Sequence, residues 1–262
     1  VHFMAETAKI LNPSAKVFMP DLEAGCSLAS GCDARDLAKY QAFLREKLGK
    51  EIATICYVNC TAEVKALCDV VCTSGNALEV VESIDKGTPI LFVPDMHLGA
   101  WVQENTDREI HLWNAACQVH ELFSIETLHQ IREEYPEGIV LAHPECPKNI
   151  RDEADFVRGT AGMLRIVKDS KDKTFIVATE GNMIYRFKTE APQNTYVPAP
   201  GASCACNLCP YMQLNTADKL WYSLTNEVFE VDVPAETAAK ARVALERMLD
   251  VKQTRSIAPA GD

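Results

Sequence analysis

The chain has 262 residues, 47% of them hydrophobic and 24% charged, an ordinary balance for a soluble globular protein with one substantial core or several small ones. A formal net charge of -11 argues against nucleic acid or an anionic membrane as partner, and requires that any anionic ligand be held by local donors. No apolar run reaches the length of a transmembrane helix and none reads as a signal peptide.

In chain order, the pattern alternates short apolar runs with segments of helical period. Strands are expected over 16–19, 52–58, 89–93, 139–142 and 174–178, runs of the kind buried in parallel sheets. Leu37, Tyr40, Leu44 and Leu48 share one helical face, as do Ile125, Leu128 and Ile131 behind Ser124, an expected N-cap. A last helix is expected from Pro234 to Val251, with Pro234 in its first turn, and 254–262 reads as a disordered tail. Strand and helix in alternation imply α/β sandwich domains.

Two regularities divide the chain. Cys26, Cys117 and Cys209 stand 91 and 92 residues apart, each in a loop of small residues. Even spacing suggests one thiolate from each of three repeated domains, a set suited to an iron–sulfur cluster with one iron lacking a protein ligand. Separately, the segment from Tyr57 to Ser74 lies over that from His143 to Thr160 at a constant offset of 86, pairing Cys60 with Cys146, Asp69 with Asp155 and Ser74 with Thr160. Ile10, Phe18, Pro20 and Asp21 match Ile84, Phe92, Pro94 and Asp95 at an offset of 74, so the chain is expected to begin in mid-domain. The expected divisions are 1–26, the remainder of a first domain; 27–117, a second; 118–209, a third; and 210–262, helices packing back on the first.

Eleven cysteines fit reduced thiols, some of them metal ligands, better than a secreted disulfide scaffold. Cys56, Cys60, Cys68, Cys72 and Cys146 read as small buried packing residues, although Cys146 abuts Glu145 and is a rival ligand. Cys206 and Cys209 form a Cys-x-x-Cys with Cys204 nearby, which read alone is a redox pair or half a zinc site. Cys204 or Cys206 is expected to pair with another thiol when a cluster on Cys209 is lost.

Several motifs together resemble the quinolinate synthase family. They are Val1-His-Phe-Met-Ala-Glu-Thr-Ala-Lys-Ile-Leu-Asn-Pro13, Pro20-Asp-Leu-Glu-Ala-Gly-Cys-Ser27, Tyr57-Val-Asn59, Cys72-Thr-Ser-Gly-Asn-Ala77 and His143-Pro-Glu-Cys-Pro147. The resemblance covers nearly the whole chain up to the tail. It implies a cytoplasmic enzyme of NAD biosynthesis, built of three homologous three-layer α/β/α domains with short parallel sheets in pseudo-threefold arrangement, the first incomplete here. It implies condensation of iminoaspartate with dihydroxyacetone phosphate to quinolinate, releasing phosphate and water. The family's motifs put the ligands of a 4Fe-4S cluster at Cys26, Cys117 (in Cys117-Gln-Val-His120) and Cys209. A functional link to L-aspartate oxidase or aspartate dehydrogenase is implied as well.

On that reading an open iron acts as a Lewis acid in dehydration. Glu145 and then Tyr57, both at strand ends, are the candidate proton shuttles, with His143 and Asn59 orienting substrate. The plain alternative makes His143-Pro144-Glu145 a turn with a solvated carboxylate. Ser74 and Thr160 precede helical patterns and are expected both to cap them and to bind anionic substrate groups. Arg158-Gly159-Thr160 departs from the family's Gly-Ser-Thr, and Thr179-Glu180-Gly181-Asn182-Met183 places its glycine one position early. The family's first domain supplies a His-x-Tyr motif and a serine not found here, so the chain alone is expected to be an incomplete enzyme. Competing readings are an iron–sulfur hydro-lyase for another small acid, and a non-catalytic metal or thiol-redox protein.

Overall fold

The structure, a computed structural model, describes residues 1–201 and 207–251, so the expectations for Cys204, Cys206 and the tail 254–262 fall outside the described residues. The chain forms two bodies, one of residues 1–116 with 210–251 and the other within 117–209. In the first, β1 (Ala53–Tyr57), β2 (Val70–Cys72), β3 (Ile90–Val93) and β4 (Ile110–Leu112) make a parallel sheet in the order β2-β1-β3-β4. In the second, β5 (Ile139–Ala142), β6 (Phe156–Val157), β7 (Thr174–Ala178) and β8 (Thr195–Pro198) repeat that order as β6-β5-β7-β8. The α/β class with short parallel sheets is therefore what the chain adopts.

The offset of 86 survives as contacts between atoms. Ile55 pairs with Val70 as Leu141 pairs with Phe156. The Asp69 carboxylate accepts the Thr54 N–H at 2.7 Å, and Asp155 accepts the Val140 N–H at the same distance. Lys65 Nζ donates to the Cys60 carbonyl, while Arg151 Nε donates to the Cys146 carbonyl at 3.1 Å. Each copy thus tethers its first strand and the turn that follows by side chains in matching places.

Burial follows from the parallel sheets. Val140 and Ala142 pack with Leu128 and Ile150 on one face of the second sheet, whereas Leu141 packs with Met163, Val167 and Phe187 on the other. In the first body Cys56, Val71 and Leu91 meet Leu37 and Leu44 of the helix Ala34–Leu48 and Leu245 of the helix Ala235–Asp250. Asp33 caps Ala34–Leu48 by accepting from Arg35 and Asp36, and Gly49 closes it in the left-handed region at φ 59°. Ser124 caps Ile125–Glu134 through the Thr127 N–H. Pro234 stands just ahead of Ala235–Asp250, one place before the first turn where it was expected.

The expected strand over 16–19 is not one. Phe18 makes a single antiparallel bridge to Glu230, flanked by Met19 N–H to Phe229 O and Val231 N–H to Val17 O, and among the described residues it has no parallel partner to extend it. Residues 210–231 pack on the first 24: Ser223 Oγ bonds the Met19 carbonyl at 2.9 Å, and Ala5, Met19, Ala24 and Val231 form a small core. The helix Ala235–Asp250 lies on Ala62–Lys65 and β2 and also touches His2–Leu11.

Gly99, in the helix Met96–Glu104, lets that helix sit against β3 and β4. A Cβ there would come within 2.6 Å of Leu112 Cδ2 and 2.9 Å of Phe92 Cδ1. Gly99→Ala is expected to cost about 1–3 kcal/mol by overpacking, despite alanine's better helix propensity. A urea midpoint at or above the wild-type value would show that the contact yields freely.

Candidate functional site

In a sheet of order 2-1-3-4 the strand connections reverse between the two central strands, and ligands bind in the crevice at their carboxyl ends. In the second body that point lies after Ala142 of β5 and Ala178 of β7. The chain leaves β5 through a tight turn, His143-Pro144-Glu145-Cys146, closed by the Cys146 N–H to the His143 carbonyl at 2.9 Å. Proline's fixed φ suits the second position of such a turn. Two anchors hold it: His143 N–H to Ala178 O at 3.1 Å, and Arg151 to the Cys146 carbonyl. It is a turn, but not a solvated one, because His143 and Glu145 are only 3% and 4% exposed.

The second element is the loop Cys117-Gln118-Val119 leading into a 3-10 turn, His120–Leu122, with the Glu121 N–H on the Cys117 carbonyl at 3.0 Å. This brings the buried His120 ring against His143, centroids 5.0 Å apart and planes at 28°. His120 Nε2 lies 3.1 Å from the hydroxyl of Thr179, the buried residue that follows β7. Glu145 Oε2 lies 3.1 Å from His120 Nδ1 and its Oε1 3.7 Å from His143 Nδ1. The first of these is a close contact without hydrogen-bond geometry, and the buried His120 Nδ1 makes no hydrogen bond.

Tautomers and charge follow. The Glu145 N–H points at His143 Nδ1 from 3.3 Å, so Nδ1 accepts and the ring proton sits on Nε2. Burial pushes the His143 pKa down to about 4 against the opposing pull of the Glu145 carboxylate, with His120 adding to the depression, so the imidazole is neutral at physiological pH. His143 is a hydrogen-bond donor here, not a cation.

Of the residues expected at a site, Cys26, Tyr57, Asn59 and Ser74 belong to the first body, and Cys117, His143, Glu145, Thr160 and Cys209 to the second. Cys117, His143 and Glu145 come together with His120; Cys117, His120 and Glu145 offer ligand atoms all within 4.8 Å of one another. Cys26 is the N-cap of the short helix Ser27–Ser30, and Tyr57 ends β1, 6% exposed. Cys209 is held by its N–H on Glu180 Oε1 at 3.1 Å. Cys146, the rival ligand, is turned to the Ala178 carbonyl at 3.3 Å.

The capping expectation fails at both hydroxyls. Asn76 precedes the helix Ala77–Glu82, and its side-chain oxygen closes the loop on the Thr73 N–H and hydroxyl instead of capping. Thr160 is the first residue of the helix Thr160–Asp169, after Gly159 at the N-cap, and provides no cap bond.

Three residues beside the expected ones carry contacts at this site and were given no role from the sequence. His120 was visible in Cys-x-x-His, a common ligand spacing. Thr179 and Glu180 sat in the segment with the displaced glycine. Their signal was the repeat: Asp21, Asp95 and Glu180 each accept the N–H two residues on, at 2.8, 2.8 and 2.9 Å, the last two just after β3 and β7.

The donor set fits a metal group. A half-buried thiol, a buried carboxylate and a buried imidazole nitrogen with no hydrogen bond converge in one body, and each is a ligand type for iron or zinc.

Comparison with known proteins shows the family. Residues 1–250 match the family model described as quinolinate synthetase A protein. The quinolinate synthase of Microcystis aeruginosa is 42% identical over 252 residues, 96% of this chain and 77% of that protein. That of Synechocystis is 44% identical over 250 residues, 95% of this chain and 77% of the relative, and that of Prochlorococcus marinus 43% over 256 residues, 97% and 75%. The chain belongs to the quinolinate synthetase A family.

Proposed function

We propose that the protein condenses iminoaspartate with dihydroxyacetone phosphate to quinolinate, releasing phosphate and water, as a cytoplasmic transferase of NAD biosynthesis. The observation that supports this most is the buried His120, His143 and Glu145 group beside Cys117 at the switch point of the second sheet. We further propose three domains divided near Cys26, Cys117 and Cys209, with those cysteines holding a 4Fe-4S cluster. When bound, the cluster supplies an open iron that acts as a Lewis acid for the loss of hydroxyl as water.

The chain's own residues do the rest. Glu145 takes and returns protons during dehydration and aromatisation, and its burial in contact with two imidazoles is the usual setting for such a group. Tyr57 is the second proton-transfer candidate. His143, neutral with its proton on Nε2, donates a hydrogen bond to substrate oxygen, and Asn59 orients substrate. Ser74 and Thr160 offer hydroxyls to phosphate or carboxylate, and the free N–H groups at the start of Thr160–Asp169 add to the second. In a chain of net charge -11, such local donors are the available means of holding anions. The unstable imine must come from oxidation of aspartate, which links the protein to an L-aspartate oxidase or aspartate dehydrogenase.

Anaerobic iron and sulfide analysis tests the reading. Cys26→Ala, Cys117→Ala and Cys209→Ala are each expected to lose most of both, while Cys146→Ala retains them. Quinolinate should form from the two substrates and not from another small acid alone. A colourless protein indifferent to the three substitutions would overturn the assignment.

A further inference from the structure

We propose that Cys117, His120 and Glu145 constitute by themselves a site for a single divalent transition-metal ion of the zinc or ferrous class, independent of the sulfurs of Cys26 and Cys209. The inference goes beyond the cluster reading, because it concerns one body alone and makes the two occupants rivals for Cys117.

Four observations carry it. Sulfur, nitrogen and carboxylate oxygen lie within 4.8 Å of one another. Bond lengths of about 2.3 Å to sulfur and 2.0–2.2 Å to nitrogen and oxygen put tetrahedral ligands roughly 3.3–3.7 Å apart, so a closure of at most about 1.5 Å completes the site. Second, His120 has the wiring of a ligating imidazole: Nε2 lies 3.1 Å from the Thr179 hydroxyl, which accepts from Nε2–H in the tautomer that keeps the lone pair on Nδ1, and Nδ1 makes no hydrogen bond although buried. A buried nitrogen in that state is costly unless something occupies it. Third, charge balances, since one thiolate and one carboxylate neutralise a dication in a place where His120 and Glu145 are 5% and 4% exposed. Fourth, the turns that carry the ligands are held in place, which leaves the closure to side-chain rotation. Cys117 and His120 share one turn, and Glu145 sits on another that Pro144, Arg151 and the Ala178 carbonyl hold in place. Three protein ligands leave a fourth position for water or a small anion, the pattern of reactive rather than structural sites.

An ion of this class would occupy Cys117 and tie down Glu145, so zinc at this position would compete with cluster assembly and retain the protein in a colourless state. Cobalt(II) reads the site directly. The metal-free full chain, prepared and titrated anaerobically, is expected to bind one equivalent with a thiolate-to-cobalt charge-transfer band and the intense visible bands of tetrahedral cobalt, all displaced by zinc. The Cys26→Ala/Cys209→Ala double variant should give the same spectrum and stoichiometry even though it forms no cluster. Cys117→Ser should abolish the charge-transfer band. Thr179→Val should weaken binding by about 10–100-fold and Thr179→Ser should restore it, the second-shell signature. Binding that survives His120→Ala and Glu145→Gln undiminished would overturn the proposal, as would loss of the spectrum in the Cys26/Cys209 double variant. Failure of the cluster reading alone would leave the cobalt result unchanged, so the two outcomes separate. Circular dichroism of Thr179→Val identifies a variant that has merely unfolded; Thr179→Ser and Cys117→Ser then decide the matter.

Discussion

Glu145→Gln is expected to lower kcat about 10²–10⁴-fold, the range for removing a positioned proton donor and acceptor, with KM for either substrate changed little. Glutamine keeps the shape of the side chain and the backbone N–H that sets the His143 tautomer. It removes the charge that lies 3.1 Å from His120 Nδ1 and the ability to exchange a proton. That loss corresponds to about 3–5 kcal/mol of transition-state stabilisation. Iron and sulfide should stay at wild-type levels, which separates proton transfer from cluster loss. A kcat within about threefold of wild type would remove Glu145 from the chemistry and bring Tyr57 forward as the proton carrier.

What was legible in the sequence was whatever is stated twice. The offset linking Asp69 to Asp155 and Cys60 to Cys146 turned out to be a set of matching hydrogen bonds, because a duplicated sheet must tether its first strand in each copy by the same means. The central strands β1, β3, β5 and β7 announced themselves as buried apolar runs. The edge strands did not. Phe156–Val157 is two residues long and half-buried, and Thr195–Pro198 ends on a proline that only an edge tolerates, so neither carries a period to read. The segment over 16–19 has the composition of β3 but not its neighbours, and composition does not supply a partner. At the site, Cys117, His143 and Glu145 were recoverable from motifs. His120 was not recognised because its role depends on contacts from β7 and the turn after β5, which no local pattern encodes. Ser74 and Thr160 were misread as caps because a hydroxyl near a helix start satisfies the rule for two or three adjacent positions, and only the loop closure by Asn76 and the placement of Gly159 show which one begins the helix.

The second large effect is expected in the first body, at Lys65. This lysine is wholly buried, donates to the Cys60 carbonyl, and lies 5.6 Å from the Phe3 ring. It also faces Glu6, itself buried, whose carboxylate accepts the Ala62 N–H at 3.0 Å and meets His2 Nδ1 at 3.5 Å. Burial raises the Glu6 pKa above 4.5, while His2 and Lys65 pull it down. Lys65→Ala removes a cation from that group, leaves the Cys60 carbonyl short of a donor and opens a cavity, so a loss of about 3–5 kcal/mol is expected in urea unfolding. Its pH dependence has a definite sign. Without Lys65 the Glu6 pKa rises further above its unfolded value, so the neutral form is favoured when folded, and the added penalty is absent below the ordinary carboxylate range and grows as pH rises through the folded pKa. The deficit of Lys65→Ala should therefore be larger at about pH 8 than at about pH 5, and Glu6→Gln in the same chain should recover part of it, with a coupling of about 0.5–3 kcal/mol. Because Lys65 fixes the turn that follows β1, where Tyr57 and Asn59 stand, the variant should also raise KM. Stability within about 1 kcal/mol of wild type would mean that water or backbone movement satisfies the Cys60 carbonyl, and that the cation matched by Arg151 in the other copy is dispensable in this one.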